Sequence, residues 1–297
     1  MLRRRQTHQR FGQLRLSPER PTLSRVPELP EVEALALDLR GRLRDRAIVK
    51  VHVAAFSALK TFDPPLSALE GTLVEDVTRH GKYLDIQASG LHLVLHLARA
   101  GWIRWRDEVP TVPPKPSNKS PLAVRIVLDD GAGLDVTEAG TRKSLAMYVI
   151  RDPADVPGIA SLGPDPLTDD FTIDVLRDIL QREGRKQIKG VLRHQGTIAG
   201  IGNAYSDELL HAARMSPFKP ANSLDDTELQ TLYDAIRTVI GDAVERSRGL
   251  AARPRDRATA SPRTVRIASY RVWSSSSSRL PAGLNGDIRA ACSSSSE

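Results

Sequence analysis

The stretch Ile188–Pro217, "IKGVLRHQGTIAGIGNAYSDELLHAARMSP", decides how this chain is built. Two helical segments flank a run with glycines at 196, 200 and 202. Glycine admits turns and close backbone approaches that a side chain forbids. The run therefore reads as a helix ending at Gly196, a tight turn through Gly200-Ile201-Gly202, and a second helix capped by Asn203. Unpaired N–H groups at such a helix start form a site for an anion. A nucleic-acid phosphate is the natural occupant, with Lys189 and its basic neighbours Arg182, Arg185, Lys186 and Arg193 beside it. A plain helix–turn–helix hairpin with Asn203 as a structural cap accounts for the segment equally well.

Outward from this stretch the texture changes. Further helices are expected in "TDDFTIDVLRDILQRE" before it and "DDTELQTLYDAIRTVIGDAVERSR" after it. Upstream, "AIVKVHVAAF", "TLVEDVTRHGKYLDIQ", "LHLVLHLARAGWIRW", "LAVRIVLDDGAGLDVTEAG" and "SLAMYVI" are short, branched-aliphatic runs broken by Gly and Asp, which read as strands. Many short strands in succession point to a sandwich or barrel. Residues 107–121 form a proline-rich polar loop. The chain is β-rich first and α-rich second, with a hinge near residues 152–168.

The β-rich half is preceded by "RVPELPEVEALAL", starting at Arg25. Pro30 suits the first turn of a helix, and Glu31 and Glu33 suit its positive end. Val32, Leu35, Leu39 and Leu43 give one apolar stripe. Nothing in helix physics explains Pro27-Glu28.

The 297 residues are 40% hydrophobic and 27% charged, with room for two cores. No apolar run is long enough to span a bilayer. One cysteine, Cys292, excludes an internal disulfide, and a cytosolic setting is the simplest reading. The net charge of +7 is concentrated at the ends. Residues 1–26 hold seven arginines and one glutamate, and residues 251–297 hold eight arginines and three acids, which leaves 27–250 at −4. The overall charge is thus a poor guide to a DNA partner, and the local cluster around Lys189 a better one.

"PELPEVE", "RHGKYL", "HLARAGWIRW", "LGPDPLTDDF" and the Ile188–Pro217 stretch, in that order, resemble the Fpg/Nei family of DNA glycosylases, the formamidopyrimidine-DNA glycosylase and endonuclease VIII relatives. The likeness runs from Pro27 to about Leu250. It implies an α+β fold: an N-terminal helix with a β-sandwich, then a helical helix-two-turns-helix domain. It also implies a base-excision-repair enzyme that removes oxidised bases from double-stranded DNA and cleaves at abasic sites. The residue matching Pro27 is the family's N-terminal nucleophile, which forms a Schiff base with C1′. Glu28 matches its acid/base partner, and Lys82 a lysine on a hairpin reaching the active site. Lys189, Asn203 and Gly202 match the element that grips the DNA backbone. Family members flip the damaged base into a pocket.

Four features depart from that pattern. Pro27 follows Val26, so its nitrogen is an amide. The family's zinc finger needs four cysteines, and this sequence has one, so no metal or other cofactor is expected. No hairpin pattern suggests a zincless finger, and Arg263 is a weak counterpart of the finger arginine. The wedge methionine position after "HL" is Arg99, and the companion loop reads "TEAGTRKS".

The expected organisation is an extension over 1–26 from a misassigned start, a catalytic β-sandwich over 27–151, a helix-two-turns-helix domain over 152–250, and a low-complexity tail over 251–297. A GTG start at Val26 and a frameshift after Leu250 are the expected origins of the two ends. A monomer that binds damaged DNA, with no membrane association, in a bacterial cytoplasm near the nucleoid, completes the expectation. Two other readings remain: a damage-binding protein with a blocked nucleophile, and another nucleic-acid role for the helical element. The Pro27-Glu28 pair opposes the last, since binding alone needs neither residue. The preferred lesion and any δ-elimination stay open.

Overall fold

The computed structural model describes residues 26–251 apart from 111, 118, 140 and 141. The expectations for the N-terminal extension, the tail beyond 251, Arg263 and Cys292 fall outside the described residues.

Helix α1 (Leu29–Leu43) opens the described chain, with Pro30 in its first turn. Eight strands follow: β1 (Ile48–Val53), β2 (Val74–His80), β3 (Tyr83–Ala88), β4 (Leu91–His96), β5 (Gly101–Arg106), β6 (Leu122–Leu128), β7 (Gly133–Glu138) and β8 (Ala146–Ile150). They form two antiparallel four-stranded sheets, ordered β1-β6-β7-β5 and β2-β3-β4-β8. Alternation selects the buried face. Leu84, Ile86 and Ala88 of β3 turn into the same core as Val124, Ile126, Leu134 and Val136 of the other sheet.

Three of the five strand-like runs are each two strands. "TLVEDVTRHGKYLDIQ" folds back at Gly81, whose φ is +56°. "LHLVLHLARAGWIRW" is β4 and β5, which belong to different sheets. "LAVRIVLDDGAGLDVTEAG" is the β6–β7 hairpin.

The helical half comprises α2 (Pro157–Ala160), α3 (Ile173–Glu183), α4 (Ile188–Arg193), α5 (Asn203–Ala212) and α6 (Asp226–Ala251). Thr172 caps α3 by accepting from Val175 N at 3.3 Å. Helix α4 stops at Arg193, three residues before the expected end at Gly196. Its apolar residues Ile188, Val191 and Leu192 pack with Tyr205 and Leu209 of α5 and Leu232, Ile236 and Ile240 of α6. Helix α1 serves both cores: Val32, Ala36, Leu39 and Leu43 join the sheets, whereas Leu29 joins the helices.

Candidate active site

Glu28 is the N-cap residue of α1, and its backbone N–H donates to Glu31 Oε2 at 3.0 Å. Its own side chain turns away from α1 toward the start of α5. Oε2 accepts from Gly202 N at 2.8 Å and Tyr205 N at 3.2 Å, and Oε1 accepts from Ala204 N at 3.0 Å. With 3% exposure, the carboxylate has no room to rotate away. Charge-assisted bonds of this kind are strong and directional. The anion at this helix start is therefore Glu28, which corrects the expectation of a phosphate there. The N-cap is Gly202, and Asn203 is the first helical residue, exposed rather than capping. A carboxylate from another part of the chain replaces the local cap.

The glycines permit this approach. Gly200 has φ +83° and accepts from Leu29 N at 3.0 Å. A Cβ on Gly200 would lie 2.6 Å from Leu29 Cβ. One on Gly202 would lie 2.3 Å from Glu28 Cδ and 2.5 Å from Lys82 Nζ. Carboxylate and ammonium thus converge on one bare backbone position.

Lys82 reaches that position from the β2–β3 turn, directly after Gly81. Burial pulls its pKa below the ordinary lysine value; Glu28 and Glu31 oppose the shift, and the Arg193 charge adds to it. Arg79 braces the turn: it donates to Gly81 O at 3.0 Å and to Glu33 at 2.6 Å, and pairs with Asp165 at 2.7 Å. Its side chain is only 5% exposed. Neighbouring His96, at the end of β4, has its pKa lowered by burial and by the Lys82 charge.

Behind Glu28, Tyr205 donates its hydroxyl to Glu31 Oε1 at 2.8 Å. Burial raises the Glu31 pKa despite that bond. Gln195 organises the turn between α4 and α5. Its amide donates to Arg193 O at 3.0 Å and Ile201 O at 2.7 Å, and its carbonyl accepts from Gly200 N at 2.9 Å.

The structure brings Glu28, Lys82 and Gly202 together, and Pro27 is buried as the chain neighbour of Glu28. Lys189 lies on α4 and pairs with Asp207 of α5 at 2.6 Å. Arg99 stands in the exposed β4–β5 turn, after Ala98 with φ +52°, and shares no hydrogen bond or ion pair with the other residues. Glu31 was legible only as a helix-dipole residue, and Arg79, Gln195 and Tyr205 lie inside the quoted motifs without having been given a role. A capping-box spacing from Glu28 to Glu31 could have found the first.

Residues 26–146 match the formamidopyrimidine-DNA glycosylase N-terminal domain, and residues 162–253 the formamidopyrimidine-DNA glycosylase H2TH domain. A formamidopyrimidine-DNA glycosylase of Symbiobacterium thermophilum is 36% identical over 226 residues, covering 74% of this chain and 71% of that protein. This chain belongs to the formamidopyrimidine-DNA glycosylase family. The Heliobacterium modesticaldum member is also 36% identical, over 74% of this chain and 79% of its own. Among solved structures, Lactococcus lactis Fpg in complex with DNA containing an abasic site superposes with a TM-score of 0.64 at 26% identity, covering 73% of this chain and 78% of that one. MutM in complex with DNA containing carbocyclic 8-oxo-G gives 0.64 at 28% identity, over 74% and 80%.

The family's four-cysteine zinc site does not fit this sequence, which has one cysteine. Among the described residues, no group of three or more His, Cys, Asp or Glu side chains is placed to hold a metal ion. No helix among them is long and apolar enough to cross a membrane.

Proposed function

We propose that this protein excises oxidised bases from duplex DNA and cleaves the strand at the abasic site through a Schiff base on Pro27. The observation that carries this reading is the seating of Glu28. Three backbone N–H groups aim a buried carboxylate beside Pro27 and Lys82. A helix cap needs no such convergence.

The nitrogen of a terminal Pro27 attacks C1′ as the C1′–base bond breaks, and the base departs with a proton. Glu28 takes up the proton that the Pro27 amine sheds on attack and returns it to O4′ as the C1′–O4′ bond opens, leaving an iminium, while the departing base draws its proton from water. Loss of a C2′ proton sends its electron pair into the iminium, and the C3′–O3′ bond breaks to release the 3′ phosphate. Water then hydrolyses the imine and frees Pro27. Lys82 steadies the neighbouring phosphate. The 27–151 half carries this chemistry, and the 152–250 half, with Lys189 and Asn203, holds the DNA backbone, whereas the Gly202 N–H seats Glu28. Arg99, in the exposed turn, faces the duplex as a positive contact.

The reaction needs a secondary amine, and Val26 acylates Pro27 in the longer form. The test compares the 297-residue chain with one beginning at Pro27, each mixed with abasic or 8-oxoguanine duplex and borohydride. The Pro27 form should be trapped covalently, the long form should not, and Pro27→Gly should be impaired. Crosslinking of the long chain at full efficiency, mapped by mass spectrometry away from Pro27, would refute the nucleophile assignment. Abasic-DNA binding by both forms without any crosslink would instead favour a damage-binding protein.

A further inference from the structure

Lys82 stands at the tip of the β2–β3 hairpin, in the two-residue connection Gly81-Lys82 closed by the pair His80 and Tyr83. A hairpin tip is the end that its ladder restrains least. The Leu162 side chain, from the loop between α2 and α3, lies against the bare face of buried Gly81. A Cβ on Gly81 would meet Leu162 Cδ2 at 3.1 Å and Cδ1 at 3.2 Å. The same point is 3.5 Å from Gly200 N, so Gly81 is held between Leu162 and the α4–α5 turn. Leu162 is partly exposed and joins none of the apolar clusters among the described residues. Its contact with Gly81 is therefore not a by-product of core packing.

The backbone that delivers Leu162 is tied to that same turn. Leu162 N donates to Ile159 O at 3.0 Å, Gly163 N donates to Gln195 O at 2.9 Å, and Pro164 O accepts from Ala199 N at 3.0 Å. A Cβ on Gly163 would lie 2.6 Å from Thr197 O, so only glycine lets the segment run this close. Next in the chain, Asp165 pairs with Arg79, which also donates to Gly81 O. Residues 162–165 thus touch the hairpin tip on one side and, on the other, the turn whose Gly202 N–H seats Glu28. We propose that Leu162 is a positioning residue: it presses the Gly81-Lys82 tip onto the α4–α5 turn, so that the Lys82 ammonium and the Glu28 carboxylate share one frame. The assignment rests on the functional reading above for the task of Lys82 and adds what holds that lysine in place. A plain linker contact would stabilise the fold without reaching Lys82.

Two measurements on the 297-residue chain test it. In the free protein, competitive acetylation read by mass spectrometry follows the titration of Lys82. Burial holds the Lys82 pKa below the ordinary lysine value. Leu162→Ala frees the tip, so the Lys82 curve should move up toward that value, while Lys186, 71% exposed, is labelled at the same rate in both proteins. Leu162→Met keeps the volume and should restore the wild-type curve. An unmoved Lys82 curve in a folded Leu162→Ala overturns the assignment; should that variant fail to fold, Leu162→Val carries the same comparison. The second measurement is affinity for a duplex bearing a tetrahydrofuran abasic analogue, from about 50 to 200 mM salt. Lys82→Gln should lower the slope of log K against log salt by about 0.9, the loss of one phosphate contact. Leu162→Ala should lower it equally, and the double variant no further, because the leucine acts through the lysine. A double variant that falls below Lys82→Gln by a second such step overturns the assignment, since Leu162 then acts elsewhere. A wild-type slope in Lys82→Gln, or a wild-type chain that binds no duplex, sinks the functional reading of Lys82, and the acetylation curves then decide the seating on their own.

Discussion

Gly202 has no room for a methyl group. A Cβ there would meet Glu28 Oε1 at 2.4 Å and Lys82 Nζ at 2.5 Å, so Gly202→Ala must displace one or both. Overpacking of this kind costs about 1–3 kcal/mol, readable in urea unfolding. Single-turnover abasic-site cleavage should fall further than stability explains, because the displaced groups are the ones placed for chemistry. Glu31 supplies a pH test. Its pKa is raised in the folded protein above the ordinary 4.5, chiefly by burial. The folded state therefore holds the Glu31 proton more tightly than the unfolded state. That stabilisation is fully present below pH 4.5 and is lost as pH rises through the raised value. Glu31→Gln, which cannot ionise, should gain stability relative to wild type across that same rise, and a constant difference between the two would contradict the sign. The strings that hold Pro27, Glu28 and Lys82 were readable as motifs because each is short and local. The role of Tyr205 was not, since its partner lies 174 residues away and no local pattern links them.

The β2–β3 hairpin depends on one arginine. Arg79 joins its turn to α1 through Glu33 and to the loop before α3 through Asp165. Removing one partner of a buried ion pair leaves the others uncompensated, a loss of about 3–5 kcal/mol when burial is complete. Glu33 and Asp165 are 24% and 20% exposed, so the lower end applies to Arg79→Met, about 3 kcal/mol. Arg79→Lys should recover only part of it, since an ammonium cannot reproduce the three-way fork. Urea midpoints of the three proteins decide this, and equal midpoints for wild type and Arg79→Met would remove the brace. The strands themselves were readable from their aliphatic runs. Their division was less so, because Gly81 and Gly101 sit inside runs whose composition barely changes across the turn. The cap of α5 was misplaced because the real capping group, Glu28, comes from the start of α1.

At the scale of the whole described fold, α1 is shared property. Leu29 lies in the helical core while Val32, Ala36, Leu39 and Leu43 lie in the sheet core, so neither half is complete without this helix. The bonds from Glu28 to α5 and from Leu29 N to Gly200 O reinforce the join. Order along the chain made the β-then-α architecture legible, but nothing local shows that one helix is buried from both sides. The consequence is cooperative unfolding. In a Trp273→Phe background, fluorescence reports Trp102 and Trp105 on β5, whereas far-UV circular dichroism is dominated by the helices. The two urea transitions should coincide. Glu28→Ala leaves three N–H groups at α5 without their acceptor, and unsatisfied buried donors cost about 1–3 kcal/mol each before water reaches them. Water can reach part of that gap, so the expected loss is about 2–4 kcal/mol, taken equally by both probes. If the wild-type transitions separate, α1 does not couple the halves. If Glu28→Ala shifts only the helical signal, the carboxylate stabilises α5 alone, and the geometry that aims it at the substrate is not maintained by the fold as a whole.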